Sequence, residues 1–441
     1  MSQFQSLREK YKEFHYRSYQ IDRQPGEYRI TFHFEIPGLC EFHPKWVFPR
    51  IREVDEEILS VLAFHLGMVE TISYWKCACP PKLYVDCGFL SENQIAWWKK
   101  LYFEGLGEFL YRNGIATTKE ELVEIISLGE EKERLTIRGM EGCLVPVGGG
   151  KDSVVSLELL KDYGITTYNI NDIPSVKSVV EVFDGGRNSY SVKRILDKEL
   201  LERNKEGFLN GHTPFSAIVA FSGYIGAYLT GKQYIALSNE TSANESTVWD
   251  SNVNHQYSKS FEFELDFMSY MDGVADSEIQ YFSLLRPLCE LQIAKLFAGF
   301  TKYHSVFRSC NVGSKQGIWC NACAKCLFVY IILSPYLSEE QMLGIFGENL
   351  LDKEELEKEF CELTGLSPNK PFECVGTRRE VLDCLGEYLK RGRPGVLPRR
   401  YREYILKNSL PIQELEQSWV LENQVPQQFQ AILKEKLTCL S

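Results

Sequence analysis

The chain has 441 residues, of which 44% are hydrophobic and 25% charged, an ordinary balance for a soluble globular protein. At roughly 150 residues per domain, this length predicts about three domains and enough apolar material for a large core. Lys and Arg number 49 against 60 Asp and Glu, a net charge of −11, which argues against an extended nucleic-acid-binding face but leaves room for one local basic pocket.

No uninterrupted apolar run reaches the roughly 18–20 residues that a membrane-spanning helix needs. The amino-terminal stretch MSQFQSLREKYKEFHYR carries charges where a signal peptide places its apolar segment. A cytoplasmic protein is expected, with no membrane and no nucleic acid among its partners. In that reducing compartment its 14 cysteines are expected to be thiols or metal ligands rather than disulfides.

Residues 28–36 (YRITFHFEI) alternate as a strand does, and an aromatic segment follows from Phe42 to Phe48. From Val54 to about Asn113 the pattern is helical, most clearly in EEILSVLAFHLGMVETISYW after Asp55, a suitable N-cap. Residues 1–135 therefore read as an α+β amino-terminal region. Beyond Leu135 the texture changes. LTIRG and GCLVPVGGG predict strands, KDSVVSLELLKDYG a helix, TTYNIND a strand and VKSVVEVF a helix or strand. SVKRILDKELLERN predicts a helix, FLNGH a strand or turn, and TPFSAIVAFSGYIGAYLTG a helix capped by Thr213 with Pro214 at its first position. QYIALSNE predicts another strand. Such alternation over residues 136–335 signals an α/β core, a parallel sheet with helices on both faces. Residues 336–441 (SEEQMLGIFG, KEELEKEFCELTG, REVLDCLGEYLKRG, VPQQFQAILKEKL) read as a helical carboxyl-terminal region.

The most informative motif is Val145-Pro146-Val147-Gly148-Gly149-Gly150-Lys151-Asp152-Ser153, followed by the apolar helix VVSLELL. Glycines between strand and helix let the backbone approach a phosphate, and the free amides of the next helix then face the anion. Neither a Walker A loop, which would need Gly at 145 and Ser or Thr after Lys151, nor a GxGxxG dinucleotide loop, which would need Gly at 153, fits. A plain glycine turn is the competing reading. The run resembles the SGGxDS loop of the PP-loop ATP pyrophosphatase family, with Gly148 in place of the usual Ser and with Gly149, Gly150, Asp152 and Ser153 matching. That resemblance implies ATP cleaved between its α and β phosphates. It also implies pyrophosphate held by the amides of Gly149 to Ser153 and the Ser153 hydroxyl, charge neutralised by Lys151, and Mg2+ placed by Asp152.

Cys310, Cys320, Cys323 and Cys326 lie within 17 residues and supply the four thiolates of a closed tetrahedral Zn2+ site, structural because no coordination position is left open. A redox CxxC, buried cysteines acting as small hydrophobes and an iron–sulfur cluster are the alternatives. The spacing is similar to that of 7-cyano-7-deazaguanine synthase, another PP-loop enzyme.

NGHTPFSAI, ALSNETSANES, NHQYSKSFEFE, SLLRPLCELQIAKLF and KPFECVGTRRE resemble the bacterial ATP-dependent UDP-N-acetylmuramoyl-L-alanyl-L-glutamate epimerase family over most of the chain. The resemblance implies a UDP-linked muramoyl dipeptide as substrate, with its terminal L-Glu activated as an acyl-adenylate, epimerised to D-Glu and released with AMP and pyrophosphate. Proton transfer at the α-carbon needs a base or a pair of bases. His255 and Lys259, four residues apart, and Cys374 are the candidates; Glu240 and Glu245 are candidates for Mg2+ or for orienting the amide. The basic run Lys390, Arg391, Arg393, Arg399, Arg400 and Arg402 reads either as a loop that clamps the diphosphate or as solvated charges at a helix end. Another PP-loop adenylating ligase and a non-catalytic nucleotide sensor are the alternative functions.

Overall fold

The structure, a computed structural model, describes residues 2–131, 133–244 and 257–439. The chain divides into two compact units, each assembled from separated segments: Met1–Leu144, Tyr190–Ile235 and Gln256–Tyr281 form the first, and Val145–Ser189, Ala236–His255 and Phe282–Ser441 the second. Both mix strands and helices.

The first unit is built on β1 (Glu13–Gln24), β2 (Glu27–Ile36), β3 (Cys40–Phe42), β4 (Lys45–Pro49), β5 (Lys82–Val85) and β6 (Glu124–Ser127). The strand order is Ser189–Ile195, β4, β2, β1, β5, β6, with β3 beside β2. Pairing is antiparallel from strand Ser189–Ile195 through β1 and parallel from β1 through β6, so these strands combine both senses. The alternation in β2 has the predicted consequence: Tyr28, Ile30, Phe32, Phe34 and Ile36 are buried and their neighbours are not.

Helix Glu56–Trp75 opens where expected, with the Asp55 side chain accepting from the Glu57 amide at 2.8 Å. It is the one helix, among the described residues, long and apolar enough to cross a membrane, and 83% of its apolar stretch is buried inside the molecule. It packs against helix Phe215–Thr230, and the Tyr228 hydroxyl accepts from the Asp55 amide at 2.9 Å. Pro214 rather than Thr213 occupies the N-cap of that second helix, because the Thr213 hydroxyl accepts from Lys76 Nζ at 2.5 Å.

The expected helix SVKRILDKELLERN is instead a strand, Ser189–Ile195, followed by a helix, Lys198–Lys205. Residues 193–195 pair with β4, and Arg194 reaches the fully buried Glu70 with Nε and Nη2 at 2.6 and 2.8 Å. Glu70 also accepts from Trp46 Nε1 at 2.7 Å. A buried carboxylate with three charge-matched or polar donors overrides local helix propensity. Asp197 then caps the helix through the Glu199 amide at 2.8 Å.

In the second unit the carboxyl-terminal halves of three strands lie side by side in the order 282–283, 236–237, 145–146, with strand Ile165–Ile170 next. Helices Lys151–Leu160 and Pro174–Asp184 follow two of these strands, and VKSVVEVF is thus helix. The remainder of this unit is helical, including Ala324–Leu333, Glu339–Phe346, Glu357–Thr364, Arg378–Lys390 and Gln427–Thr438.

Candidate active site and cysteine centre

Strand Cys143–Pro146 carries buried Cys143, Leu144 and Val145, and the Val147 amide donates to the Tyr168 carbonyl at 2.8 Å before the chain turns. Gly149 makes that turn with φ +79°, in the left-handed region, and a Cβ there would lie 2.8 Å from the Ser175 backbone. A Cβ on Gly150 would lie 2.7 Å from Ser309 Oγ, whereas one on Gly148 would meet nothing within 4 Å. Gly150 is the N-cap of helix Lys151–Leu160 and offers no side-chain cap. The Ser153 hydroxyl donates to the Gly150 carbonyl at 3.0 Å. Among the described residues the amides of Gly148, Gly149 and Gly150 have no hydrogen-bond partner. A glycine turn with open amides at the head of a ten-residue helix is the arrangement that suits an anion. Ser175 Oγ, buried beneath Gly149, is also without a partner.

Lys151 is fully buried and turned inward, paired with Asp152 and with Glu290. Burial by itself would lower the pKa of its ammonium, but the two carboxylates outweigh burial and hold it above its ordinary value. Burial pushes the Glu290 carboxyl up to about 7 against the pull of Lys151. Glu380 accepts from the Glu290 amide at 2.7 Å and from the Thr377 amide and hydroxyl at 2.7 and 2.8 Å. Burial first, and then Glu290, raise its pKa. Glu240 accepts from the Ser242 hydroxyl at 2.7 Å, its carbonyl accepts from the fully buried Arg286 at 2.6 Å, and burial followed by the charge of Glu380 raises its pKa. A knot of buried carboxyls thus sits behind the glycine turn. Glu290 and Glu380 were not singled out from sequence, although Thr377-x-x-Glu380 is a capping box that places Glu380 at a helix start.

The four clustered cysteines come together, with all four sulfurs within 4.8 Å of one another. Cys320 and Cys323 each lie close to Cys326, at Sγ–Sγ distances of 3.7 and 3.6 Å. Zinc–sulfur bonds of about 2.3 Å in a tetrahedron set the sulfurs about 3.8 Å apart, so the donor set fits zinc. Asn321, with φ 50°, turns the chain between Cys320 and Cys323, and its Nδ2 donates to the Phe346 carbonyl at 2.8 Å. The segment entering this centre touches the glycine turn: the Arg308 amide donates to the Gly149 carbonyl at 2.7 Å and Ser309 Oγ accepts from the Lys151 amide at 3.3 Å.

His255, like Glu245, lies outside the described residues. Lys259 ends a short 3-10 turn, Tyr257–Lys259, in the first unit. Cys374 is in the second unit, half-buried, with its carbonyl accepting from Lys325 Nζ. The Lys325 amide donates to Glu373 at 3.0 Å, and burial, then Cys323, push the Glu373 carboxyl up to about 7. The basic run is not an open loop: Val396–Arg400 and Arg402–Asn408 are helices. Arg391 donates to the Pro335 carbonyl at 2.7 Å, Arg393 to the carbonyls of Ser334 and Leu337 at 2.5 and 2.8 Å, and Arg400 to Glu357 and Glu354 at 2.7 and 2.6 Å.

Residues 5–284 match the family model described as the MurL N-terminal domain, and residues 304–393 the one described as the MurL C-terminal domain. The chain belongs to the MurL family. Three curated relatives carry the name UDP-N-acetyl-alpha-D-muramoyl-L-alanyl-L-glutamate epimerase. The relative from Xanthomonas oryzae pv. oryzae is 34% identical over 71% of this chain and 71% of its own length. The one from Micromonospora sp. is 33% identical over 84% and 86%, and the one from Salinispora tropica 35% identical over 84% and 81%. No solved structure matches this MurL family chain.

Proposed function

We propose that this MurL family member inverts the terminal L-Glu of UDP-MurNAc-L-Ala-L-Glu in cytoplasmic peptidoglycan precursor synthesis, using ATP and Mg2+. The observation that carries the reading is the turn Gly148–Gly150, with open amides at the head of helix Lys151–Leu160, in a chain whose curated relatives are named for that epimerisation. The glutamate nitrogen is an amide, which excludes Schiff-base activation, and a proton beside a free carboxylate is hard to remove. Attack of that carboxylate on the α-phosphorus of ATP forms a mixed anhydride and expels pyrophosphate. The anhydride has no negative charge beside the α-carbon, so a base can take the proton and an acid can return it from the other face. Water then releases AMP and the D-Glu carboxylate.

In this reading the chain binds nucleotide as a PP-loop protein. The amides of Gly148 to Ser153 and the Ser153 hydroxyl hold the departing pyrophosphate. Asp152 orients Mg2+ on it, and Lys151, locked between Asp152 and Glu290, fixes the head of the helix. His255, Lys259 and Cys374 are the proposed proton-transfer groups. Cys310, Cys320, Cys323 and Cys326 hold zinc, which supplies structural cross-linking only.

The test is incubation with ATP and UDP-MurNAc-L-Ala-L-Glu, followed by pyrophosphate assay and chiral analysis of glutamate. D-Glu in a product of unchanged mass, with pyrophosphate release that depends on the dipeptide, is expected, and Asp152→Asn should abolish both. A heavier covalent adduct would establish a ligase, and no pyrophosphate a sensor; either result overturns the proposal.

A further inference from the structure

A second group of potential metal ligands lies in the first unit, on the hairpin formed by β2 and β3. Phe34 pairs with Phe42 and both side chains are fully buried, so the period-two alternation sends His33, Glu35, Glu41 and His43 to the opposite, solvent-facing side. The Phe32 amide donates to the Pro44 carbonyl at 3.0 Å, which carries the pairing past β3 and sets His33 directly across from His43. Their imidazoles stack, with centroids 4.6 Å apart and planes 17° apart. Glu41 projects beside both: its Oε2 is 3.2 Å from His33 Nε2 and 4.0 Å from His43 Nε2.

We propose that His33, Glu41 and His43 form a surface site for a divalent transition-metal ion of the zinc class. The donor atoms already lie within 4.8 Å of one another. Bonds of about 2.0–2.1 Å to nitrogen and oxygen in a tetrahedron require donors about 3.3 Å apart, which rotation of side chains on a paired hairpin supplies. Two imidazoles and one carboxylate are a donor set that zinc accepts, with the remaining position left to water. The neighbouring carboxylate is not a competing ligand, because Glu35 is held by Arg17 Nε at 2.7 Å. The backbone at His43 is tethered independently, its amide donating to Asp197 at 2.6 Å. The bound ion would bridge β2 to the residue that follows β3 and pin the end of the hairpin. This site owes nothing to the proposed reaction and shares no residue with the cysteine centre.

The experiment is zinc titration of the full-length chain after chelator dialysis, followed by calorimetry and by metal analysis, for the wild type and for the His33→Gln/His43→Gln variant. The substituted side chains face solvent, and the difference between the two proteins isolates this site whatever the cysteines hold. The wild type should take up one ion more than the variant. Each single substitution should weaken that binding by more than about tenfold, the least that loss of even an outer-shell partner costs. Added zinc should raise the melting temperature of the wild type further than that of the variant. Cobalt at this site should give no thiolate charge-transfer band. Superimposable titrations for wild type and double variant would overturn the proposal.

Discussion

The Arg308 amide and the Gly149 carbonyl are joined by a 2.7 Å hydrogen bond, so the strand of chain that enters the cysteine centre is stitched to the glycine turn. Ser309, one residue before Cys310, adds a second stitch at the Lys151 amide. A metal held by the four cysteines therefore restrains the backbone that lines the proposed pyrophosphate site.

Removing that restraint should be felt by nucleotide. Chelation, or Cys310→Ser, is expected to weaken ATP binding by about tenfold or more, measured by equilibrium dialysis, with less effect on helix content. An unchanged dissociation constant in the metal-free protein would show that the turn holds its shape without the centre.

Lys151 and Glu290 make a buried pair, and breaking such a pair from one side strands the other charge. Lys151→Met is expected to lower unfolding free energy by about 3–5 kcal/mol in urea denaturation. Lys151→Met combined with Glu290→Leu should recover much of that loss, because the fully buried carboxylate leaves together with the ammonium, whereas Asp152, the other partner of Lys151, reaches solvent. Additive losses would mean that the two side chains are energetically independent.

Glu290 also gives a pH signature. Its carboxyl rises from an ordinary 4.5 to about 7 on folding, with burial as the main cause. The folded state then holds the proton more tightly than the unfolded state, so this contribution is fully present below about pH 4.5 and is lost as pH climbs toward 7. Glu290→Gln should flatten the stability profile in that window; a slope identical to wild type would place the titration elsewhere.

The three glycines of the turn should differ in tolerance. Gly149→Ala imposes a Cβ on a left-handed residue, a cost of about 1–2 kcal/mol, and drives it into the Ser175 backbone. Melting temperature and ATP affinity should both fall. Gly148→Ser meets open space, so stability should be unchanged and nucleotide affinity kept or improved by the added hydroxyl. Loss of binding in Gly148→Ser with retained binding in Gly149→Ala would reverse the proposed orientation of the turn.

Much of the local structure was legible because the signals were short-range. Asp55 announced helix Glu56–Trp75, alternation announced β2, and the turn Gly148–Gly150 lies between a strand and a helix as its composition implied. Twelve-residue β1 escaped notice because its outer half is polar and it is defined by its partner β2, not by its own pattern. Strand Ser189–Ile195 was misread as helix for the same reason: the buried Glu70 that draws Arg194 is 124 residues away. In the site, the cysteine spacing announced its cluster, whereas the Lys151–Glu290 pair spans 139 residues and has no sequence period to betray it. Arg391, Arg393 and Arg400 looked like a charge patch because their carbonyl and carboxylate partners, near Ser334 and Glu357, are invisible in one dimension.

The interleaving of the two units has a bearing on biogenesis. Because the first unit draws on Gln256–Tyr281 while the second begins at Val145, neither can close while the ribosome is still in the first half of the message. A nascent chain halted there would expose unpaired edges of strands from both units. Cutting the gene once, at any position, would give no fragment that contains a whole unit and nothing else, so isolating either unit calls for rejoining its three segments through new linkers rather than for truncation.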